Sequence, residues 1–275
     1  MFTLNCKGRL LTIDQPIVMG IINATPDSFY EGSRKNSVTL ALTQAEKMIG
    51  EGATILDIGA QSTRPGSEIV GPEAEISRLS GIIDAIAKAF PQTIISVDTF
   101  YSEVARQAVD MGASMINDIS GGNFDKGMLD TVASLKTPYI CMHVAGDAHS
   151  MHKTAVYKDV VTDVMDYFIE RMGQCHAAGI SDIILDPGFG FSKTPEQNFQ
   201  LIRNTSSFVA LGKPVLIGVS RKSTIYKTLG ISADEALNGS TVLHTAALLS
   251  GAHIIRAHDV KEAMEAIKLT HFLKP

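Results

Sequence analysis

The chain has 275 residues, 45% hydrophobic and 19% charged, with a net charge of −5. This is the balance of a soluble protein with a large core, and with no Lys/Arg run covering a face it argues against a nucleic-acid partner. No stretch reaches the roughly 18 apolar residues of a membrane span, so no membrane association is expected. Cys6, Cys141 and Cys175 are odd in number and widely spaced, without C-x-x-C or metal-type spacing. Reduced thiols in a cytoplasm are the reading of that pattern. The N-terminal MFTLNCKGRLLTIDQP lacks a basic segment followed by a long apolar run, which also points to a cytoplasmic protein. Length alone allows two domains. A single barrel of about 250 residues fits better, so 1–275 is read as one domain.

Residues 2–15 read as two short strands around Lys7-Gly8, a hairpin ahead of the main fold that closes its bottom. Eight times thereafter a short apolar stretch runs into an abrupt polar residue. The predicted strands are 17–22 before Asn23, 54–58 around Asp57, 93–97 before Asp98 and 114–117 before Asp118. They continue with 138–142 before His143, 182–185 before Asp186, 214–219 before Lys222, and 253–257, which contains Arg256 and precedes His258. Each is followed by a loop and by helical spacing. This is the pattern of an α/β fold, the (β/α)8 TIM barrel, here with an N-terminal β-hairpin; its chemistry collects at the C-terminal strand ends.

The first helix is expected to stop near Gly50 and Gly52. Pro72 suits a helix N1 position, with Glu73 and Glu75 in the first turn, and that helix is expected to run to about Phe90. A long helix is predicted over roughly 156–178. Asp259 is expected to cap the last helix, with Glu262 at the reciprocal position. The loops over 23–36 and 59–71 exceed the length of about 12 residues that is usual without a function, which makes them lid candidates.

Three carboxylates, Asp57, Asp98 and Asp186, end strands. One alone is as readily a helix cap as a functional group; three aimed at one mouth favour function. With a carboxamide beside them they can receive the guanidine-like donor edge of a planar heterocycle. Asn23 and Asn117 can hold turns, or can serve as an oxygen ligand to Mg²⁺ or a donor to phosphate. Arg64, Arg221, Lys222, Arg256 and His258 form a cationic set. Arg256 interrupts an apolar strand at a place where this fold often binds phosphate, so an anion site from Arg256, His258 and Arg64 is expected. The loop PGFGFSKT resembles a Walker A loop only loosely, because Pro187 and Ser192 stand where glycines are required. His143, His149 and His152 lack zinc-site spacing, and loop roles are expected for His149 and His152.

At these residues the chain resembles a known family, the dihydropteroate synthases, the pterin-binding barrels of folate synthesis. The matching blocks are MGIINATPDSFYEGS at 19–33, DIGAQSTRPGSE at 57–68, SVDT at 96–99 and INDISGG at 116–122. MH at 142–143, LDPGFGFSKTPEQN at 185–198, GVSRKS at 218–223 and RAHDV at 256–260 complete the series. The resemblance implies condensation of 6-hydroxymethyl-7,8-dihydropterin diphosphate with p-aminobenzoate, giving 7,8-dihydropteroate and pyrophosphate by an ionising, S_N1-like path. It implies that Asp98, Asn117, Asp186 and Lys222 hold the pterin, with Asp57 and Met142 also among the substrate-binding residues. Asn23 would meet Mg²⁺ or the diphosphate, and Arg64, Arg256 and His258 would bind the anion. Thr63, Pro65, Phe191 and Ser223 would shape the p-aminobenzoate pocket. Asp98, Lys222, Arg256 and His258 are the implied catalytic groups, Mg²⁺ the implied cofactor and a homodimer the implied assembly.

The sequence departs from the family pattern at Ala60 and Gln61, where Gly-Glu is common, and this bears on the motion of the second loop. Two other readings are open: a methyltetrahydrofolate–corrinoid methyltransferase-like enzyme, and a non-catalytic pterin-binding paralogue. The first has no need of the STRPG loop or of Arg256 with His258. The second would show a broken motif.

Overall fold

A computed structural model describes residues 1–24, 34–61 and 67–273, with the backbone alone for 34–36. Strands β1 (Phe2–Cys6) and β2 (Arg9–Ile13) pair antiparallel, Phe2 opposite Ile13. Lys7 and Gly8 both take positive φ, 55° and 87°, the two-residue turn whose twist matches a hairpin.

Eight parallel strands follow: β3 (Ile17–Asn23), β4 (Ile55–Gly59), β5 (Ile94–Asp98), β6 (Met115–Asp118), β7 (Tyr139–Met142), β8 (Ile183–Asp186), β9 (Leu216–Ile217) and β10 (Ile254–Ala257). Neighbours in sequence pair from β3 to β8, and β10 pairs with both β9 and β3. The ring closes through a single bridge, Leu185 to Val215, where the Leu185 N–H donates to the Pro214 carbonyl at 2.9 Å.

Alternation along the strands divides the core in two. Met19, Ile55, Ile94, Met115, Ile140, Ile184, Leu216 and Ile254, one from each barrel strand, form a layer at the N-terminal end of the interior. Leu4, Cys6, Leu11 and Ile13 of the hairpin pack on that layer, so the hairpin stoppers the bottom. The intervening residues, Ile22, Leu56, Val97, Ile116, Cys141, Leu185, Ile217 and Ile255 among them, face the surrounding helices. Each fully buried aliphatic side chain contributes about 1.5–3 kcal/mol.

The helices are α1 (Arg34–Glu51), α2 (Pro72–Leu79), α3 (Ile82–Ala89), α4 (Ser102–Asp110), α5 (Met128–Leu135), α6 (Val160–Ala178), α7 (Pro195–Arg203), α8 (Thr205–Val209), α9 (Ser223–Leu229), α10 (Leu237–Leu249) and α11 (Val260–Leu273). Gly50 lies inside α1, and the chain leaves the helix at Gly52, whose φ of 108° suits glycine alone. The helix expected from Pro72 to Phe90 is two helices. Gly81 sits between them at φ 85° and ends the first ladder. Asp259 precedes α11 as expected, its carbonyl accepting the Ala263 N–H at 3.1 Å, but its carboxylate takes both prongs of the Arg221 guanidinium. A capping box forms instead at α7, where Thr194 and Gln197 exchange side-chain bonds.

Candidate active site

The polar residues of the interior begin one step above the apolar layer. On β4, Ile55 points inward, so Asp57 does as well; the same two-residue period turns Ser96 and Asp98 of β5, Asn117 of β6, Asp186 of β8 and Arg256 of β10 inward. Asn23 ends β3 opposite Gly59. Asp118, next to Asn117, faces the other way and receives the Ser120 N–H, the Ser120 hydroxyl, the Gly122 N–H and the Tyr139 hydroxyl at 2.7–2.8 Å. Its role is to pin the loop after β6.

Arg256 links three of the expected residues. Its Nε donates to Asp57 Oδ2 at 2.6 Å and its Nη2 to Asp98 Oδ2 at 2.6 Å. Asn117 Nδ2 donates to the same Asp57 oxygen at 3.0 Å. Asp57 is fully buried, and its other oxygen, Oδ1, has no hydrogen-bond partner. Burial would lower the Arg256 pKa, and the Asp57 and Asp98 carboxylates more than reverse that, holding the guanidinium charged. Burial pushes Asp98 up to about 7 against the pull of Arg256. A buried cation shared by two carboxylates is a weak source of stability, because desolvation offsets much of the attraction. His258 stands two residues beyond Arg256, its Nδ1 3.1 Å from the Ser220 hydroxyl.

The opposite wall comes from the loop after β8. Asp186 Oδ1 receives the Gly188 N–H at 2.8 Å. Gly188 has φ 71°, and a Cβ there would strike the His143 carbonyl, so only glycine allows this turn. Lys222 reaches across to donate to the Phe189 carbonyl at 2.5 Å, its Nζ 4.7 Å from the Phe191 ring centre. Burial pushes Lys222 down to about 8, with Asp186 opposing. Burial raises the Asp186 pKa, with Lys222 opposing. Phe191 joins Met142, Phe100, Ile119, Val144 and Met151 in an apolar cluster beside these charges.

Lys193 was missed as a site residue. It is buried and donates to the carbonyls of Gly188 at 3.0 Å and Phe191 at 3.1 Å, and burial takes it down to about 7. The only sequence signal was a lysine closing a glycine-rich turn, and there it serves the turn itself rather than a phosphate. Glu75, expected merely to favour a helix start, is fully buried behind Asp98. His143 packs edge-on against Tyr167 at 4.8 Å. Among the described residues no group of three His, Cys, Asp or Glu side chains is set for a metal.

Thr63, Arg64 and Pro65 lie outside the described residues. The neck of their loop is described. The Gln61 side chain donates to the Glu68 carbonyl at 3.1 Å and accepts the Val70 N–H at 2.9 Å. Carboxamide chemistry is needed for both bonds, since an ionised glutamate accepts only. Ser223 opens α9, directly after Lys222.

The arrangement offers buried acceptors for a donor-rich heterocycle, an apolar wall for an aromatic ring, and cations at the rim. The chain matches the family described as pterin binding enzyme over residues 19–258. The dihydropteroate synthase of Escherichia coli K12 is 42% identical over 265 residues, 96% of this chain and 93% of the relative. A structure of the Xanthomonas albilineans dihydropteroate synthase with 4-aminobenzoic acid superposes with a TM-score of 0.92 at 39% identity, covering 98% of this chain and 97% of that one. Another from the same organism, in complex with 7,8-dihydropteroate, has a TM-score of 0.86 at 35% identity, with 98% of each chain covered.

Proposed function

The chain belongs to the dihydropteroate synthase family, and we propose that the residues of its barrel mouth divide that reaction among themselves as follows. The enzyme condenses 6-hydroxymethyl-7,8-dihydropterin diphosphate with p-aminobenzoate to 7,8-dihydropteroate and pyrophosphate. Asp186 accepts from the pterin 2-amino and N3–H groups, and Asn117 and Lys222 supply further hydrogen bonds to the ring. The observation that supports this reading most directly is the inward layer itself, with Arg256 held between Asp57 and Asp98 and facing Asp186 and Lys222. Phe191 and Met142 border the space for the aminobenzoate ring, with Thr63, Pro65 and Ser223 completing it.

The carbon–oxygen bond to the diphosphate breaks with its electron pair leaving on pyrophosphate. The resulting methylene cation is conjugated with the pterin, and the Asp98 carboxylate stabilises that charge. The aniline nitrogen then attacks and loses a proton. His258, Arg64 and the remaining N–H groups of Arg256 meet the departing anion. Asn23 would offer a carboxamide oxygen to a Mg²⁺, a hard cation that accepts few protein ligands. When bound, that ion neutralises leaving-group charge.

The same reading includes one domain over 1–275, a homodimer and a cytoplasmic location. A shared sheet joining β3 through β10 supports the first. Val242, Leu249 and Leu269, exposed on α10 and α11, support self-association, which light scattering checks. Three unpaired, buried cysteines fit a reducing compartment.

The protein should release pyrophosphate only when supplied with the dihydropterin diphosphate, and sustained condensation should need p-aminobenzoate and Mg²⁺. Methyl transfer from methyltetrahydrofolate, or binding without turnover, would reject the assignment. In a single turnover Arg256→Ala should slow pyrophosphate release, and Arg256→Lys should restore it only in part, because lysine lacks the planar fork. If Arg256→Ala leaves that rate intact, Arg64 becomes the better candidate for the leaving-group clamp.

A further inference from the structure

Among the described members of the cationic set, Arg221 turns its side-chain donors away from the mouth and into protein. Its Nε and Nη2 fork onto Asp259 at 2.8 and 3.0 Å, and its Nη1 donates to the carbonyls of Ala233 at 3.2 Å and Asp234 at 2.6 Å. Its backbone N–H donates to the Ser240 hydroxyl of α10 at 2.9 Å. The Lys222 N–H closes a turn onto the Val219 carbonyl at 3.1 Å, and Arg221 occupies the third position of that turn with φ 51°. That position favours glycine, so an arginine there accepts backbone strain in exchange for its side-chain contacts.

What those contacts join is specific. Arg221 precedes Lys222, and Asp259 follows His258. One residue back on each loop, the Ser220 hydroxyl meets His258 Nδ1 at 3.1 Å and accepts the His258 N–H at 3.2 Å. The loop after β9 and the loop after β10 are therefore tied twice in adjacent registers, 220 to 258 and 221 to 259. Lys222 projects inward from one and His258 stands on the other. The strand pairing beneath is short, since β9 has two residues, and contributes little to fixing this separation.

We infer that Arg221 and Asp259 are positioning residues that set the distance between Lys222 and His258, and so between the ring end and the diphosphate end of one substrate. The inference rests on the assignment of Lys222 to the pterin and His258 to the diphosphate. Its consequence is particular to a ligand that touches both ends. When two contacts are held in fixed geometry, the second forms at high effective concentration; when the geometry loosens, the linked ligand loses that advantage while each half keeps its own contacts.

The test is Arg221→Gly, which removes the fork while supplying the residue that the turn prefers, with melting curves to show that the fold is kept. Calorimetry with Mg²⁺ would compare dihydropterin diphosphate with 6-hydroxymethyl-7,8-dihydropterin alone and with inorganic pyrophosphate alone. Affinity for the intact substrate should fall about tenfold, and that for either half less than about twofold. Asp259→Asn should show the same pattern, and the double variant should be no worse than either single one, because the two residues act as a unit. Equal losses for all three ligands, or none, would overturn the inference. Failure of the wild-type chain to bind the intact substrate would instead overturn the functional reading on which it rests.

Discussion

Asp186 shows how one side chain is prepared for a ligand. One oxygen is tied to the Gly188 N–H, Lys222 and Arg256 offset its burial, and the carboxylate faces the interior ready to accept further donors. Truncating it leaves the heterocycle's N–H groups buried and unpaired, so Asp186→Ala should cost at least about 2 kcal/mol of pterin affinity. Unchanged calorimetric affinity in a folded variant would refute the assignment. Lys222 supplies a second check. Burial lowers its pKa from 10.5 to about 8, and only the charged form donates three hydrogens. Pterin affinity should therefore hold below that pH and fall as pH rises through about 8, and Lys222→Met should abolish this limb. A profile flat up to the ordinary lysine range, about 10.4, would mean that the charge on Lys222 is not used.

At the scale of elements, α2 buries a face that sequence period alone describes badly. Glu75 is in its first turn, which reads as a favourable helix start, yet the side chain is fully buried. Burial, with the Asp98 charge adding to it and Thr99 and Arg78 opposing, pushes its pKa from 4.5 to about 8. A folded-state pKa above the unfolded one gives stability that is complete below the unfolded value and is lost as pH rises through the folded one. Relative to Glu75→Gln, wild-type melting temperature should thus decline between about pH 5 and pH 9. Parallel curves for the two proteins would show that Glu75 does not ionise in that window. The helix break at Gly81 and the use of the Asp259 carboxylate by Arg221 belong to the same scale. Periodicity tells which residues want a helix, but a competing partner across the fold, Arg221 in the second case, decides what a side chain does.

For the molecule as a whole, the two ends of the barrel do different work. The bottom is a layer of one apolar residue per strand sealed by the hairpin, and the layer above it is polar. Ile13, 2% exposed, lies in the seal, with the apolar layer that includes Ile254 between it and the polar layer of Arg256. Ile13→Ala should cost about 2–5 kcal/mol in denaturant unfolding while leaving the Michaelis constants of the folded enzyme unchanged. A change in those constants with stability intact would show that the ends are coupled. By itself the sequence determined the barrel, the hairpin, and the polar strand ends at Asp57, Asp98, Asn117, Asp186 and Arg256 that the two-residue period turns inward. Strand alternation and the abrupt change from apolar to polar are local, and a run such as IILD or IIRAH carries them without reference to the rest of the chain. Only the tertiary structure decided which of those groups meet. That Arg256 lies between Asp57 and Asp98, that Arg221 serves Asp259, and that Lys193 closes its own loop all depend on contacts between residues far apart in the chain, whose geometry is set when the ring of strands closes.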